Sequence, residues 1–287
     1  MLAFLNGQLV PESEARISVF DRGFLYGDGV FETLRVAEGS VVGWGQHWER
    51  FNRGAALLGV RLPYGRDQSQ AAAAELLRQN GLTEGVLRFQ LSRGVGARGY
   101  SPRDATVPTL VMTTHPMPPM GSQPAQWRLH TATLRLRAGD PLSAGKTCNR
   151  LVHVLARAEA EAAGADEALL LNGEELVAEA ASANVFWVEQ GGIHTPPPGT
   201  GALPGITQAR VMDLAAARGI SARESLVRRD RLLVAEGVFL TLSSQGMIEV
   251  LALDGRPVRI APVTAELYRA YRAEVYRDSL VLQRPGG

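Results

Sequence analysis

SAGKTCNR, residues 143–150, holds the only lysine in a chain of 287 residues. The other 29 of the 30 basic Lys and Arg side chains are arginine. Arginine serves for ion pairing and solubility, but it does not deprotonate in a protein. A lysine amine does when its surroundings lower its pKa, and it then forms Schiff bases with carbonyls. Lys146 is therefore either retained for amine chemistry or left over from a coding preference for arginine. The segment also bears on the architecture. A flexible Ser-Ala-Gly precedes the lysine, and NRLVHVLARAEAEAAGA follows with helical spacing from three residues beyond it. A lysine so placed can project into a cleft at a domain junction, a common position for a cofactor.

Upstream, AFLNGQLV and VFETLRVAEGSVVGW each read as strands turned at Asn6-Gly7 and Glu38-Gly39. HWERFNRGAALLGV is a helix with Trp48, Phe51, Ala55 and Leu58 on one face, and QSQAAAAELLRQNG a second helix closed by Asn80-Gly81. GVLRFQLSRG and PTLVMTTH are strands. Residues 115–124, HPMPPMGSQP, carry four prolines and a glycine, which continue neither a helix nor a central strand. They mark a linker between domains. Downstream come the strand WRLHTATLRLR and hairpins turned at Asn172-Gly173 and Gly191-Gly192. PGITQARVMDLAAARG is a turn followed by a helix that ends at Gly219, EGVFLTLSSQGMIEVLALDG is strand-rich, and a helix closes the chain. The expected organisation is a small α/β domain over 1–114, a linker over 115–125 and a larger β-rich domain with helices over 126–287. The fold class is α+β or α/β in two domains.

Composition narrows the function. Net charge is +1, the arginines are interleaved with acids, and no basic block marks a nucleic-acid partner. Cys148 is the single cysteine, so no internal disulfide forms, which fits a reducing cytoplasm. MLAFLNGQLVPESEAR lacks the basic start and apolar run of a signal peptide, and no stretch approaches the ~20 apolar residues of a membrane span. The five histidines are scattered, so no metal site is expected, and Cys148 reads as a small buried residue. No dinucleotide or Walker fingerprint is present. The expectation is a cytoplasmic enzyme acting on a small molecule.

Several residues fit that chemistry. Glu179 leaves the apolar strand EELVAE for the small residues AASAN, where something flat can approach; the alternative is a loop acid paired with an arginine. In LPGITQAR, Pro204-Gly205 turns the chain into a helix whose first N–H groups, at Ile206 and Thr207, lack intrahelical acceptors and suit a phosphate. Arg50, three residues after His47 on its helix, could give a phosphate bidentate charge or could be an ordinary exposed arginine. Arg93 and Arg98 lie in the glycine-rich RGVGARGYSP, which could close over a ligand or be a surface hairpin.

FDRGFLYGDGVFETLR (20–35), HWERF (47–51), Lys146 before TCNRLVHVLARAEAEAAGADEALLLN, VAEAASANVFWV (177–188) and LPGIT (203–207) together resemble, in this order, the fold-type IV pyridoxal-phosphate enzymes. These are branched-chain and D-amino acid aminotransferases and aminodeoxychorismate lyase. The resemblance implies that Lys146 carries pyridoxal 5'-phosphate as a Schiff base and moves protons. It implies that Glu179 faces the pyridine nitrogen, and that Arg50, Ile206, Thr207 and Ser243 hold the phosphate. Arg98 falls where the D-amino acid aminotransferases bind a substrate carboxylate, Tyr100 and Tyr26 are the other expected substrate contacts, and the assembly is expected to be a homodimer. SRGVGARGYSP and the NRL after the lysine lean toward the lyase, which converts 4-amino-4-deoxychorismate to 4-aminobenzoate and pyruvate in folate biosynthesis. Ala180 stands where the family has glycine, and MIEVL replaces its Ile/Val-x-Pro-Val. The alternatives are an aminotransferase acting on D-amino acids, branched-chain amino acids or (R)-amines, and a catalytically silent binding protein on the same fold.

Overall fold

The computed structural model describes residues 1–282; residues 283–287, the end of the sequence-derived second domain, lie outside the described residues. The chain forms two compact units. One comprises Met1–Pro119, Gly145–Asn149 and the C-terminal stretch from Val275; the other comprises Met120–Ala144 and Arg150–Glu274. This division differs from 1–114, 115–125 and 126–287 in two ways: the lysine segment and the stretch from Val275, both expected in the second domain, belong to the first.

The first unit is a six-stranded antiparallel sheet carrying helices. Its strands are β1 (Leu2–Leu5), β2 (Gln8–Pro11), β3 (Gly29–Ala37), β4 (Ser40–Val41), β5 (Gly85–Ser92) and β6 (Thr109–Pro116), in the order β2-β1-β6-β5-β3-β4. Its helices are α1 (Arg22–Tyr26), α2 (Trp44–Leu58) and α3 (Arg66–Gln79). The two hairpins turn where expected. Asn6 and Gly7 sit at φ 47° and 97°, and Glu38 and Gly39 at 49° and 76°. Two successive positive φ angles match the twist of the flanking strands. α2 buries Trp44, Phe51 and Ala55 against Leu34, Leu87 and Phe89, with the Phe51 and Phe89 rings 4.2 Å apart. Each fully buried side chain of this size contributes about 1.5–3 kcal/mol.

The second unit is built on a nine-stranded mixed sheet. Its strands are β7 (Ala125–Leu136), β8 (Glu167–Asn172), β9 (Val177–Ala180), β10 (Asn184–Glu189), β11 (Gly192–Thr195), β12 (Ala222–Glu224), β13 (Gly237–Leu242), β14 (Gly246–Leu253) and β15 (Arg256–Pro257). The order is β12-β11-β10-β13-β14-β7-β8-β9, with β15 beside β14. β7 runs parallel to both β14 and β8. Every residue of β8, EALLLN, is buried. One face of this unit is covered by α4 (Leu151–Ala162), whose Ala156 and Ala160 pack on Ala132, Ala168 and Leu170. A strand covered on both faces has no need of alternation, which explains the unbroken apolar run. The remaining α-helices are α5 (Ile206–Ala216), α6 (Arg229–Leu232) and α7 (Pro262–Leu282).

Three local expectations are corrected. α4 starts at Leu151, because Arg150 takes the non-helical N-cap conformation at φ −117°, ψ 22°. The β10–β11 turn is Gln190-Gly191 at φ 52° and 71°, one residue earlier than expected, because Glu189 pairs with Gly192. The β8–β9 turn uses Glu175 at φ 60° rather than Gly173. The Asn172 side-chain oxygen accepts the N–H groups of Glu174 and Leu176 and closes that turn.

Candidate active site

Lys146 is held by backbone pairing with the start of β3. The Phe31 N–H donates to the Lys146 carbonyl at 2.9 Å, the Cys148 N–H donates to Gly29 at 2.8 Å, and Val30 bridges Thr147. The lysine is half-buried, and its Nζ lies 4.8 Å from the centre of the Phe31 ring. Arg88 of β5 lies over the same ring at 4.0 Å. Burial pushes the Arg88 guanidinium below its ordinary range, with Cys148 acting the other way. Its Nε donates to Gln90 at 3.1 Å, and among the described residues it makes no ion pair with an acid. Cys148 is half-buried rather than buried.

Side chains alternate across a strand, so Glu32 faces away from Phe31, toward α2. Glu32 is fully buried and accepts Arg50 Nε on Oε1 and Arg50 Nη2 on Oε2, each at 2.7 Å. His47 Nδ1 meets Oε2 at 2.7 Å. His47 and Arg50 are three residues apart on α2, so they present themselves together to one acid. Burial would raise the Glu32 pKa, but hydrogen bonds and charge from Arg50, then His47, outweigh it and hold the carboxyl at about 2. Burial, which outweighs the Glu32 contacts, pushes His47 below its ordinary value, so it is neutral at pH 7 and donates through Nδ1–H. Arg50 is thus a buried arginine whose plane is set by Glu32, not a surface residue.

This arrangement has a measurable consequence. Arg50→Ala leaves a buried carboxylate without its cation and is expected to cost about 3–5 kcal/mol of unfolding free energy. Chemical denaturation of cofactor-free protein checks it. Because the folded Glu32 pKa is depressed, its contribution is complete above the ordinary carboxylate value of ~4.3. It is lost as pH falls toward about 2, so the gap between wild type and variant closes over that window.

In the second unit, Glu179 is the next-to-last residue of β9, and it is buried. Its partner is not an arginine: His153 Nε2 meets Oε1 at 2.9 Å, and the Leu203 N–H donates to Oε2 at 3.0 Å. A carboxylate offers about four lone-pair sites, so both contacts leave capacity for a further donor. Gly205 caps α5, its N–H donating to Gln208 Oε1 at 3.0 Å. Among the described residues no acceptor faces the N–H groups of Ile206 and Thr207. The Thr207 hydroxyl is 3.5 Å from both Ser243 Oγ and the Tyr271 hydroxyl. The buried Thr241 hydroxyl has no hydrogen-bond partner among the described residues.

The remaining candidates sit in the first unit. Arg98 and Tyr100 are exposed, and Tyr26 accepts the Gly99 N–H on its hydroxyl at 3.2 Å. Sequence reasoning passed over Glu32, Arg88 and His153. Glu32 had a legible signal: an acid between apolar residues in VFETL, on the face of Val30 and Leu34. Arg88 and His153 had none, since each is marked only by the neighbours that folding supplies.

Residues 29–253 match the family described as Amino-transferase class IV. The chain is 34% identical over 275 residues to a Methanocaldococcus jannaschii protein provisionally named branched-chain-amino-acid aminotransferase, covering 95% of this chain and 96% of the other. A Legionella pneumophila structure provisionally named 4-amino-4-deoxychorismate lyase superposes with a TM-score of 0.86 at 30% identity, covering 92% and 97%. A T.th. branched-chain amino acid aminotransferase complexed with N-(5'-phosphopyridoxyl)-L-glutamate gives 0.89 at 29%, covering 96% and 94%. The chain belongs to the class IV aminotransferase family. Its members are pyridoxal-phosphate-dependent enzymes of fold type IV.

The residues present fit that cofactor. A phosphorylated pyridine aldehyde asks for an amine, an acid for its ring nitrogen and donors for its phosphate. The first unit offers the one lysine and a buried arginine; the second offers a buried Glu179, a helix start with two N–H groups and a buried hydroxyl, the N–H groups and the hydroxyl without partners among the described residues. Among the described residues no group of acids, histidines and cysteine could hold a metal, and no helix is long and apolar enough to cross a membrane.

Proposed function

We propose that the protein is an aminodeoxychorismate lyase, releasing 4-aminobenzoate and pyruvate from 4-amino-4-deoxychorismate. Lys146 would carry the cofactor, Glu179 would face its ring nitrogen, and Arg50, Ile206, Thr207 and Ser243 would hold its phosphate. When bound, pyridoxal phosphate supplies an electron sink for the pair left behind as a proton departs from carbon. The Lys146 amine would take the proton from the ring carbon that bears the substrate's amino group; the bond between the ring and the enolpyruvyl oxygen would break, the ring would become aromatic, and the departing enolpyruvate would take that proton back to leave as pyruvate. Atoms balance without a second substrate. Glu179, oriented by its contacts with His153 and the Leu203 N–H, would meet the ring nitrogen.

The observation that carries the lyase reading is the loop SRGVGARGYSP, which presents Arg98 and Tyr100 outward from the first unit. The substrate is a dicarboxylate. Arg98 and Arg88, one exposed and one half-buried without an acid partner among the described residues, are the cations proposed to receive it, with Tyr26 and Tyr100 beside the loop. The similarity to the Legionella protein supports this reading. The second reading, an aminotransferase, is favoured by the names of the Methanocaldococcus and T.th. proteins. The two differ in what must be supplied. Incubation with aminodeoxychorismate and no keto acid is expected to give 4-aminobenzoate and pyruvate over many turnovers. No 4-aminobenzoate, with rapid turnover of a D- or branched-chain amino acid plus 2-oxoglutarate, overturns the lyase in favour of the aminotransferase.

We further propose a cytoplasmic homodimer. The outer face of α4 exposes Leu151, Val152, Val154 and Leu155, an apolar surface that a second copy would cover. The single cysteine fits a reducing compartment.

A further inference from the structure

The loop that follows β5 is gripped by one side chain. Arg22, the first residue of α1, is buried. Its Nε donates to Asp28 Oδ2 at 2.9 Å. Its Nη1 donates to the carbonyls of Gly99 at 2.8 Å and Ser101 at 3.1 Å, and its Nη2 to Tyr100 at 3.2 Å. Three consecutive backbone carbonyls of the loop thus converge on one guanidinium. The Arg22 N–H donates to Gly94 at 2.8 Å, so the same residue also holds the loop's beginning. Tyr26, one turn along α1, receives the Gly99 N–H, its ring 4.9 Å from the Arg22 guanidinium.

Asp28 ties this grip to the base of the loop. It also receives Arg93 Nε at 2.7 Å and Arg93 Nη2 at 3.1 Å. The mouth of the loop is closed as tightly: Gly94 takes φ +85°, and a Cβ there would lie 1.8 Å from the Val107 carbonyl oxygen. With its carbonyls turned inward onto Arg22, the loop turns its side chains out: Tyr100 is 87% exposed and Arg98 is exposed. A guanidinium presents a rigid fork of donors, whereas an ammonium at this place cannot span three carbonyls.

We infer that Arg22 is a positioning residue for substrate recognition: it fastens the 94–107 loop in the single shape that presents Arg98 and Tyr100. The inference rests on the reading that this loop meets a substrate carboxylate. It differs from that reading in assigning the loop's shape to a residue that touches no substrate.

The test uses the cofactor-loaded protein, Arg22→Ala and Arg22→Lys, with melting temperatures recorded for all three. Trypsin cleaves after Arg98 and Arg103, both exposed, only when the loop opens locally. Losing charge-assisted bonds to three carbonyls is expected to speed cleavage there by about ten- to a hundredfold in Arg22→Ala. The KM for aminodeoxychorismate should rise by a similar factor with kcat within about twofold. Arg22→Lys, which keeps the charge beside Asp28, should fall between, and it carries the comparison if the alanine variant does not fold. Cleavage at the wild-type rate overturns the inference, and so does faster cleavage with unchanged KM. Arg98→Ala separates the two claims. An unchanged KM there, with a raised KM in Arg22→Ala, removes the Arg98 contact and leaves the role of Arg22 standing.

Discussion

Lys146→Arg is expected to abolish turnover, by about a thousandfold or more, while leaving the fold intact. The change keeps the positive charge over Phe31 and the backbone pairing of residues 145–149 with β3, which no side chain supplies. It removes the amine that forms the covalent link and moves the proton. General acid–base transfer alone accounts for ~10²–10⁴ in rate, and the lost nucleophile adds to that. The visible absorbance of a lysine-linked cofactor should disappear, and borohydride should change nothing. Since the sequence contains no second lysine, no other side-chain amine can substitute. A variant that turns over at the wild-type rate removes the mechanism entirely.

Glu179→Gln is expected to lower turnover by about a hundredfold, comparable to the loss of one preorganised electrostatic contact in other active sites. The amide is isosteric, can still accept the Leu203 N–H and can still meet His153. Unfolding free energy should therefore change by no more than about 1–2 kcal/mol, the scale of a single hydrogen bond. What changes is the charge opposite the ring nitrogen. A neutral amide does not hold that nitrogen protonated, so the bound cofactor should absorb differently and withdraw electrons less well. Normal folding with unchanged turnover assigns the carboxylate another task.

Much of this was legible before folding was considered. Asn-Gly and Glu-Gly between apolar runs fixed two hairpins, because the backbone conformations they favour are local properties. α2 was visible from its apolar stripe. Lys146 stood out through its isolation in an arginine-rich chain, and the helix start at Ile206 through Pro-Gly before an amphipathic run. What escaped depends on distant partners. The return of residues 145–149 to the first unit is made by hydrogen bonds to Gly29 and Phe31, more than a hundred residues away. Arg88 reads as one more strand arginine until Phe31 and Cys148 surround it. His153 reads as a helix residue until Glu179 arrives from β9. Arg22 sits in a recognisable motif, but three carbonyls of a loop nearly eighty residues on give it its work.

The central claim is that the lone lysine carries the cofactor. Reducing the loaded protein with borohydride, digesting it and locating the pyridoxyl mass by peptide sequencing tests this directly. The expected result is one tag, on the Lys146 side chain, in near-stoichiometric yield. A tag on the N-terminal amine, or none on a protein that still turns over, contradicts the account.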